Sequence, residues 1–216
     1  MPNLAEQITH FFDLIGSLVC HQNPEKTMQI GGRALPVCAR CTGGYLGLLV
    51  GYLVLILWRK RENKGPPDLW TTLVLSTPMI ADVVTQTLGV RESTNSLRLL
   101  TGLLFGLTTL PFLVYAIQLL PTLRRLPILS HISPKEARID DVDKPWITSK
   151  ALIFGAVICL VMFFALEHLA NSSLDYFYWV VALPLIFSII FHVFLLVPLI
   201  LCVLVYRFWR FTARKK

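Results

Sequence analysis

CTGGYLGLLVGYLVLILW, residues 41–58, is an apolar run of about the length that crosses a lipid bilayer. A bilayer core about 30 Å thick needs roughly 20 apolar residues per helix. Comparable runs occupy residues 70–88, 99–120, 150–170 and 176–206. Composition agrees, because 55% of the chain is hydrophobic and only 15% is charged. The sequence therefore predicts an all-α, polytopic integral membrane protein with about five transmembrane helices.

The segment before the first span, residues 4–19, has apolar residues at helical spacing. They are Leu4, Ile8, Phe11, Phe12, Ile15, Leu18 and Val19. A helix with one apolar face and charges on the other is typical of an interfacial element. We expect an amphipathic helix on the outer leaflet, with a re-entrant segment as the alternative.

The net charge of +7 is explained by where the basic residues lie. They follow the first span at 59–64, fill residues 121–150 and form the tail at 207–216. Lys and Arg accumulate in cytoplasmic loops of membrane proteins. We therefore expect a multi-pass protein of the cell membrane with its N-terminus outside and its C-terminus cytoplasmic, and we do not expect nucleic-acid binding.

These features predict three parts along the chain. Residues 1–120 carry the polar motifs and three spans, residues 121–149 form a basic cytoplasmic loop, and residues 150–216 hold two spans and a basic tail. The lipid bilayer is the expected partner throughout. Nothing in the sequence indicates the oligomeric state.

A cluster of potential metal ligands precedes the first span. Cys20, His21, Cys38 and Cys41 lie within 22 residues, and the last two form a CxxC pair. Two thiols at that spacing can chelate one metal or form a disulfide. Four Cys and His side chains are a set that tetrahedral Zn²⁺ takes in structural sites. The leading hypothesis is a metal site, with Zn²⁺ as the simplest occupant.

Three other interpretations of the cysteines stay open at this point. Cys38 and Cys41 could form a disulfide that only ties the loop to the span, since disulfides persist outside the cytoplasm. They could also be redox-active, because Arg40 and the start of a helix both stabilise a thiolate. Inert thiols are the remaining possibility.

A second polar cluster lies between residues 81 and 106. Asp82 and Gln86 are one helical turn apart, so they share a face. A carboxylate inside a membrane span is costly and normally paired, which makes Asp82 a functional candidate with Arg91 or Arg98 as its partner. Further on, Gly102 and Gly106 would let another helix approach closely.

The predicted topology places both clusters on one membrane face. We therefore predict one site, in which the metal orders the loop over a polar pocket for an anionic or lipid-linked envelope molecule. Asp82 is the candidate general base, although a purely structural ion pair is an equal alternative. The candidate substrate-binding residues are Gln86, Arg91, Ser93, Asn95, Arg98, Arg33 and Arg40.

The sequence is also compatible with two other functions. One is a membrane thiol–disulfide oxidoreductase that uses Cys38 and Cys41 with a membrane electron carrier. The other is a non-enzymatic membrane assembly or transport protein with a structural disulfide. Whether the protein is an enzyme is left open.

The combined motif resembles a known family. CHQ, GGR, P and CARCTGGYLG between Cys20 and Gly47, followed by D-x3-Q-x4-R-x-S-x-N-x2-R-x2-TG, is similar to a prokaryotic family of predicted membrane proteins, domain of unknown function 2085. That resemblance implies a membrane protein and no particular activity. The second half is also similar to VanZ-like membrane proteins, although Arg98 stands where that pattern usually has an acidic residue. By analogy alone this implies envelope or lipid-linked chemistry.

Overall fold

The computed structural model describes residues 4–60, 62–118, 141 and 143–213. In that part of the chain the helices are α1 (Leu4–Ser17), α2 (Ala39–Trp58), α3 (Leu69–Thr87), α4 (Asn95–Gln118), α5 (Ser149–Ala170) and α6 (Tyr176–Ala213). Between α1 and α2 lie a 3-10 turn (Pro24–Lys26) and two short strands, β1 (Gln29–Ile30) and β2 (Arg33–Ala34). The all-α prediction with an N-terminal helix is confirmed.

Four of these helices are long and apolar enough to cross a membrane: α2, α4, α5 and the first half of α6, Tyr176–Phe194. The sequence predicted five spans, and α3 is the difference. This helix is 19 residues long, but it carries Thr71, Thr72, Ser76, Thr77, Asp82 and Gln86 among its apolar residues. Its polar content lowers its hydropathy, while its length still matches that of its neighbours.

Helix α4 forms the centre of the bundle and packs against α2, α3 and α5. Its inward face carries Leu99, Leu103, Leu107 and Leu110, which are all fully buried. Their spacing of three and four residues is that of one helix face. In contrast, Asp82 is the buried residue of α3, so α3 lies at the edge of the bundle.

Glycines bring α2 and α4 into backbone contact. A Cβ atom on Gly43 or Gly47 would clash with the backbone of Leu99 or Leu103 on α4. Conversely, one on Gly102 or Gly106 would clash with the backbone of α2. Small residues allow this close approach between membrane helices. The prediction that Gly102 and Gly106 admit a neighbouring helix is therefore confirmed.

Replacing Gly47 with alanine is expected to destabilise the protein by about 1–3 kcal/mol, the usual range for overpacking. The methyl group would meet the Leu103 backbone, which cannot rotate away. Gly44→Ala is the matched control, because a Cβ there has no neighbour within 4 Å. Thermal unfolding in detergent measures both variants. Equal melting temperatures would contradict this packing.

The N-terminal helix α1 packs against α6, where the rings of Phe12 and Trp179 are 6.0 Å apart between centroids. It ends at Ser17, two residues before the predicted end, and the chain then turns through Leu18 and Val19. Leu4, Phe11, Leu14 and Leu18 are exposed. An exposed apolar face is what an interfacial helix offers to lipid. The position of α1 at the outer leaflet stays a prediction.

The bundle has two chemically different ends. At one end the segments 59–68 and 143–148 meet, because the Lys60 amide donates to the Trp146 carbonyl (3.1 Å) and Gly65 pairs with Pro145. This end holds Lys60, Lys64, Lys144 and Lys150. The loop of residues 18–38 and the connections α3–α4 and α5–α6 lie at the opposite end, which we call the motif end.

The predicted basic loop 121–149 lies largely outside the described residues, as does the tail from residue 214. Helices α5 and α6 of the C-terminal part pack directly on the motif-bearing part. Helix α5 contacts α2 and α4, and α6 contacts α2. The predicted division of the chain near residues 120 and 150 stays a prediction.

Candidate functional site

Three cysteines meet at the motif end. The Sγ atoms of Cys20, Cys38 and Cys41 all lie within 4.8 Å of one another, and we call this group the thiol cluster. Cys38 is the N-cap residue of α2, and Cys41 lies in its first turn. Cys20 and Cys38 are buried, whereas Cys41 is partly exposed. All three are free thiols.

The loop that delivers Cys20 is held by Gln22. Its side-chain amide donates to the carbonyls of Asp13 (2.6 Å) and Pro36 (2.9 Å), which ties the end of α1 to the approach of α2. Gln22 has φ +49°, a left-handed conformation that is uncommon for a residue other than glycine. In the CHQ tripeptide the glutamine therefore has a positioning role.

A hairpin folds the rest of the loop back. Strands β1 and β2 are antiparallel and are joined by Gly31 and Gly32, with φ of +59° and +74°. Positive φ at both central residues is the geometry of a type I′ turn, which glycine adopts easily. The turn contacts the backbone of Leu174 and Asp175, so it also packs on the α5–α6 connection.

The surroundings of Cys20 favour its thiolate. Its Sγ accepts hydrogen bonds from the backbone N–H groups of Cys38 (3.3 Å) and Gln22 (3.4 Å). Hydrogen bonds from the Cys38 and Cys41 thiols, together with these amides, hold the pKa of Cys20 well below its ordinary value, although burial opposes this. The thiolate is the form that binds metals.

His21 does not join the thiol cluster. It was predicted as a fourth metal ligand, but its side chain is exposed and it is absent from the group of converging ligand atoms. The reason is local geometry. Adjacent side chains in non-helical backbone point in different directions, and here Cys20 faces inward. The described residues thus bring together three potential ligands instead of four.

An ion-pair network around a buried carboxylate lies beside the thiol cluster. Arg40, the second of the two residues between Cys38 and Cys41, donates from Nη2 to Asp82 Oδ2 and to Gln86 Oε1 (3.0 Å) on α3. Arg91 donates to the other carboxylate oxygen of Asp82 at 3.1 Å. The Asp82 side chain is only 1% exposed. Arg40, Asp82, Gln86 and Arg91 form what we call the Asp82 network.

The Asp82 network shows which arginines pair with Asp82. Of the two expected partners, Arg91 is present, while Arg98 is replaced by Arg40. Because both carboxylate oxygens already accept hydrogen bonds from guanidinium groups, the contacts favour the alternative of a structural ion pair. The role of Asp82 as a general base stays a prediction.

A cavity of about 490 Å³ opens next to the Asp82 network. Its walls include Glu25 and Lys26 from the 3-10 turn, Gln86 from α3, Arg91 and Ser93 from the α3–α4 connection, and Arg98 from α4. We call it the basic cavity. Asn95 does not line it directly. Instead, it accepts from Arg98 Nη1 (2.9 Å) through Oδ1 and donates to the Glu25 carbonyl (3.1 Å).

Arg33 lies elsewhere. This candidate substrate-binding residue sits on β2, where its guanidinium is 6.0 Å from the centre of the Tyr178 ring and Nη1 donates to Thr9 Oγ1 at 3.5 Å. It lines a separate cleft with Glu6, His10 and Asp13. Arg33 does not line the basic cavity and is not part of that pocket.

Sequence reasoning did not identify Gln22, Glu25 and Lys26 as site residues. The left-handed Gln22 leaves no mark in the sequence. The turn at Asn23–Lys26 does carry a signal, since Asn23 caps it through its side chain and Pro24 begins it. Arg40 was assigned to a substrate or a thiolate, and its pairing with Asp82 could not be read from a separation of 42 residues.

Comparisons with known proteins agree with this picture. The family described as "Predicted membrane protein (DUF2085)" matches residues 20–112, from the first cysteine through most of α4. An uncharacterised protein of Methanocaldococcus jannaschii is 39% identical over 98 residues, which are 45% of this chain and 63% of the relative. One of Methanothermobacter thermautotrophicus is 40% identical over 89 residues, 41% of this chain and 78% of the relative.

The match to the Methanocaldococcus relative thus covers less than two thirds of that protein's length. No solved structure matches this chain. The similarity to VanZ-like proteins stays a prediction. The matched residues hold the thiol cluster, the Asp82 network and Arg98, and on this basis the chain belongs to the family of predicted membrane proteins of unknown function DUF2085.

Proposed function

We propose that the protein is a membrane metalloprotein in which Cys20, Cys38 and Cys41 bind one metal ion, most simply Zn²⁺. One observation supports this above all, the approach of the three Sγ atoms to within 4.8 Å of one another. Thiolates are good ligands for Zn²⁺. Three protein ligands leave one tetrahedral position for water or another exogenous group, as in catalytic zinc sites.

The metal would hold the loop of residues 20–38 over the basic cavity. We propose that this cavity receives an anionic or lipid-linked envelope molecule, since Lys26, Arg91 and Arg98 line it. The lysine-rich end of the bundle would face the cytoplasm by the positive-inside rule. The thiol cluster and the cavity would then face outward in the cell membrane.

A second candidate function is supported by the position of the CxxC pair. Cys38 caps α2 and Cys41 follows in its first turn, and their Sγ atoms lie within 4.8 Å of each other. The alternative is therefore a thiol–disulfide oxidoreductase using Cys38 and Cys41. A third alternative is a non-enzymatic assembly or transport protein in which a permanent disulfide is purely structural.

Elemental analysis of the purified protein together with thiol counting tests these functions. If the protein is a metalloprotein, we expect one equivalent of metal per chain. The three cysteines should then react with thiol reagents only after a chelator has removed the metal. A disulfide that cycles with a quinone or a protein partner supports the oxidoreductase. A permanent, unreactive disulfide without metal supports the structural alternative, and either of these two results contradicts the metalloprotein.

Replacing His21 with alanine is expected to leave the metal content unchanged, because the side chain is exposed and lies outside the thiol cluster. Elemental analysis of His21→Ala, purified in parallel with the wild type without chelators, measures this. If His21→Ala loses most of its metal, the four-ligand hypothesis is correct and the three-ligand site is wrong.

A further inference from the structure

Arg98 is a buried cation that forms no ion pair with the other described residues. It is 7% exposed and lies in the first turn of α4. Nη1 donates to the neutral amide of Asn95, and Nε is buried without a hydrogen-bond partner among the described residues. A helix N-terminus carries partial positive charge, so α4 itself adds to the positive field around Arg98.

The carboxylates of the cavity do not balance this charge. Asp82 is already shared between Arg40 and Arg91. Glu25 and Glu92 line the basic cavity but are exposed, and neither forms an ion pair with Arg98 in the described part of the chain. An isolated buried cation is costly, whereas a paired and hydrogen-bonded one is tolerated. None of these carboxylates pairs with Arg98 in the described residues, and a bound anion would balance its charge.

We propose that the basic cavity binds a phosphate-type group with Arg98 as its counterion, and that metal in the thiol cluster strengthens this binding. The volume of about 490 Å³ exceeds what a single carboxylate needs and suits a phosphate with an attached group. Arginine and lysine together match several phosphate oxygens. The coupling to metal rests on the proposed function.

One structural connection runs from Cys20 to Arg98. Six residues after Cys20 the chain reaches Lys26, and Glu25 in the same turn accepts from Asn95 Nδ2 (3.1 Å). The same Asn95 side chain accepts from Arg98. Fixing Cys20 on a metal would thus fix the turn that forms one wall of the cavity and orients Arg98.

A second connection starts at the CxxC pair. Arg40, between two of the proposed ligands, holds Asp82 and Gln86, and Asp82 in turn holds Arg91. Gln86 and Arg91 form the opposite wall of the cavity. Both walls of the cavity are therefore connected to residues next to the proposed thiol ligands. Metal binding would affect the positions of the anion-binding side chains in both walls.

Coupling of this kind is reciprocal, and typical values change affinity by about 5–150-fold. Metal-loaded protein should therefore bind inorganic phosphate at least about fivefold more tightly than metal-stripped, reduced protein. Phosphorus NMR titration of detergent-solubilised protein measures both affinities, with free metal removed beforehand. Acetate at equal concentration tests whether a carboxylate is sufficient.

Arg98→Gln is the test variant, with Arg98→Lys as a second that retains the charge. We expect Arg98→Gln to reduce phosphate binding at least tenfold while its metal stoichiometry stays that of the wild type, and Arg98→Lys to recover part of the binding. Arg33→Gln is the matched control, since Arg33 is a cation in the separate cleft at this end of the bundle. It should bind like the wild type.

The source of the phosphate is distinguished with nanodiscs. Phosphatidic acid that displaces inorganic phosphate, where phosphatidylcholine does not, identifies a lipid headgroup. Displacement by neither identifies a free phosphate compound.

Phosphate binding that is unaffected by Arg98→Gln, or acetate binding as tightly as phosphate, would overturn the anion site. Equal phosphate affinity with and without bound metal would overturn the coupling. A protein that takes up no metal but binds phosphate through Arg98 would refute the metalloprotein, and the coupling with it, while leaving the anion site standing.

Discussion

Replacing Cys38 with serine is expected to reduce metal affinity by more than about a hundredfold. Mutating partners behind the ligands typically costs 10–100-fold in metal sites, and Cys38 is itself a proposed ligand. Metal content after dialysis against a competing chelator measures the effect.

Cys159→Ser is the control for this experiment. Cys159 is also a buried free cysteine, but it lies on α5, where its thiol approaches the Leu103 carbonyl (3.7 Å). This variant should keep its metal. If Cys38→Ser and Cys159→Ser retain metal equally, the thiol cluster is not the metal site.

Replacing Asp82 with asparagine has the second large expected effect, a loss of about 3–5 kcal/mol in stability. Asp82 is buried and bridges Arg40 and Arg91, so an amide would leave the partly buried Arg40 without its counterion. The network joins α2 to α3, and its loss should loosen α3, the edge helix. Thermal unfolding in detergent measures the change.

Two companion variants show which ion pair matters. Arg91 is 52% exposed and Arg40 is 23% exposed in their side chains. Exposed ion pairs contribute about 0–1 kcal/mol, so Arg91→Gln should cost far less than Asp82→Asn. Glu92→Gln, an exposed acid nearby, should cost nothing measurable. If Asp82→Asn unfolds like the wild type but loses an activity, Asp82 acts in chemistry and not in structure.

The helices could be predicted because a long apolar segment in a membrane must satisfy its own backbone hydrogen bonds, which an α-helix does. The structure keeps all five predicted runs as helices, with shifted ends. The number of apolar spans was harder to predict, because α3 combines apolar residues with hydroxyl residues and lies at the edge of the bundle. Hydropathy alone does not show that Asp82 would be neutralised by Arg40 from another helix.

The candidate site was predictable where ligand chemistry and local spacing decide it. Cys38 and Cys41 are three residues apart and meet at a helix start, and Cys20 joins them. His21 lies outside the thiol cluster because the direction of its side chain depends on the loop backbone, where Gln22 adopts a left-handed conformation. Spacing carries no information about that direction.

The basic cavity could be predicted only in part. Arg91, Ser93 and Arg98 come from one stretch of sequence, so the sequence already groups them. The opposite wall comes from Glu25 and Lys26, about 70 residues earlier, through the bond from Asn95 to the Glu25 carbonyl. A long-range contact of this kind depends on how the loop folds over the bundle, and it needs a structure to be seen.

We expect Cys20, Cys38 and Cys41 to bind one metal ion together. X-ray absorption spectroscopy at the zinc edge of protein loaded with one equivalent of Zn²⁺ tests it directly. We predict three sulfur neighbours at about 2.3 Å and one lighter neighbour. A shell dominated by nitrogen or oxygen, or no bound zinc in fully reduced protein, would contradict it.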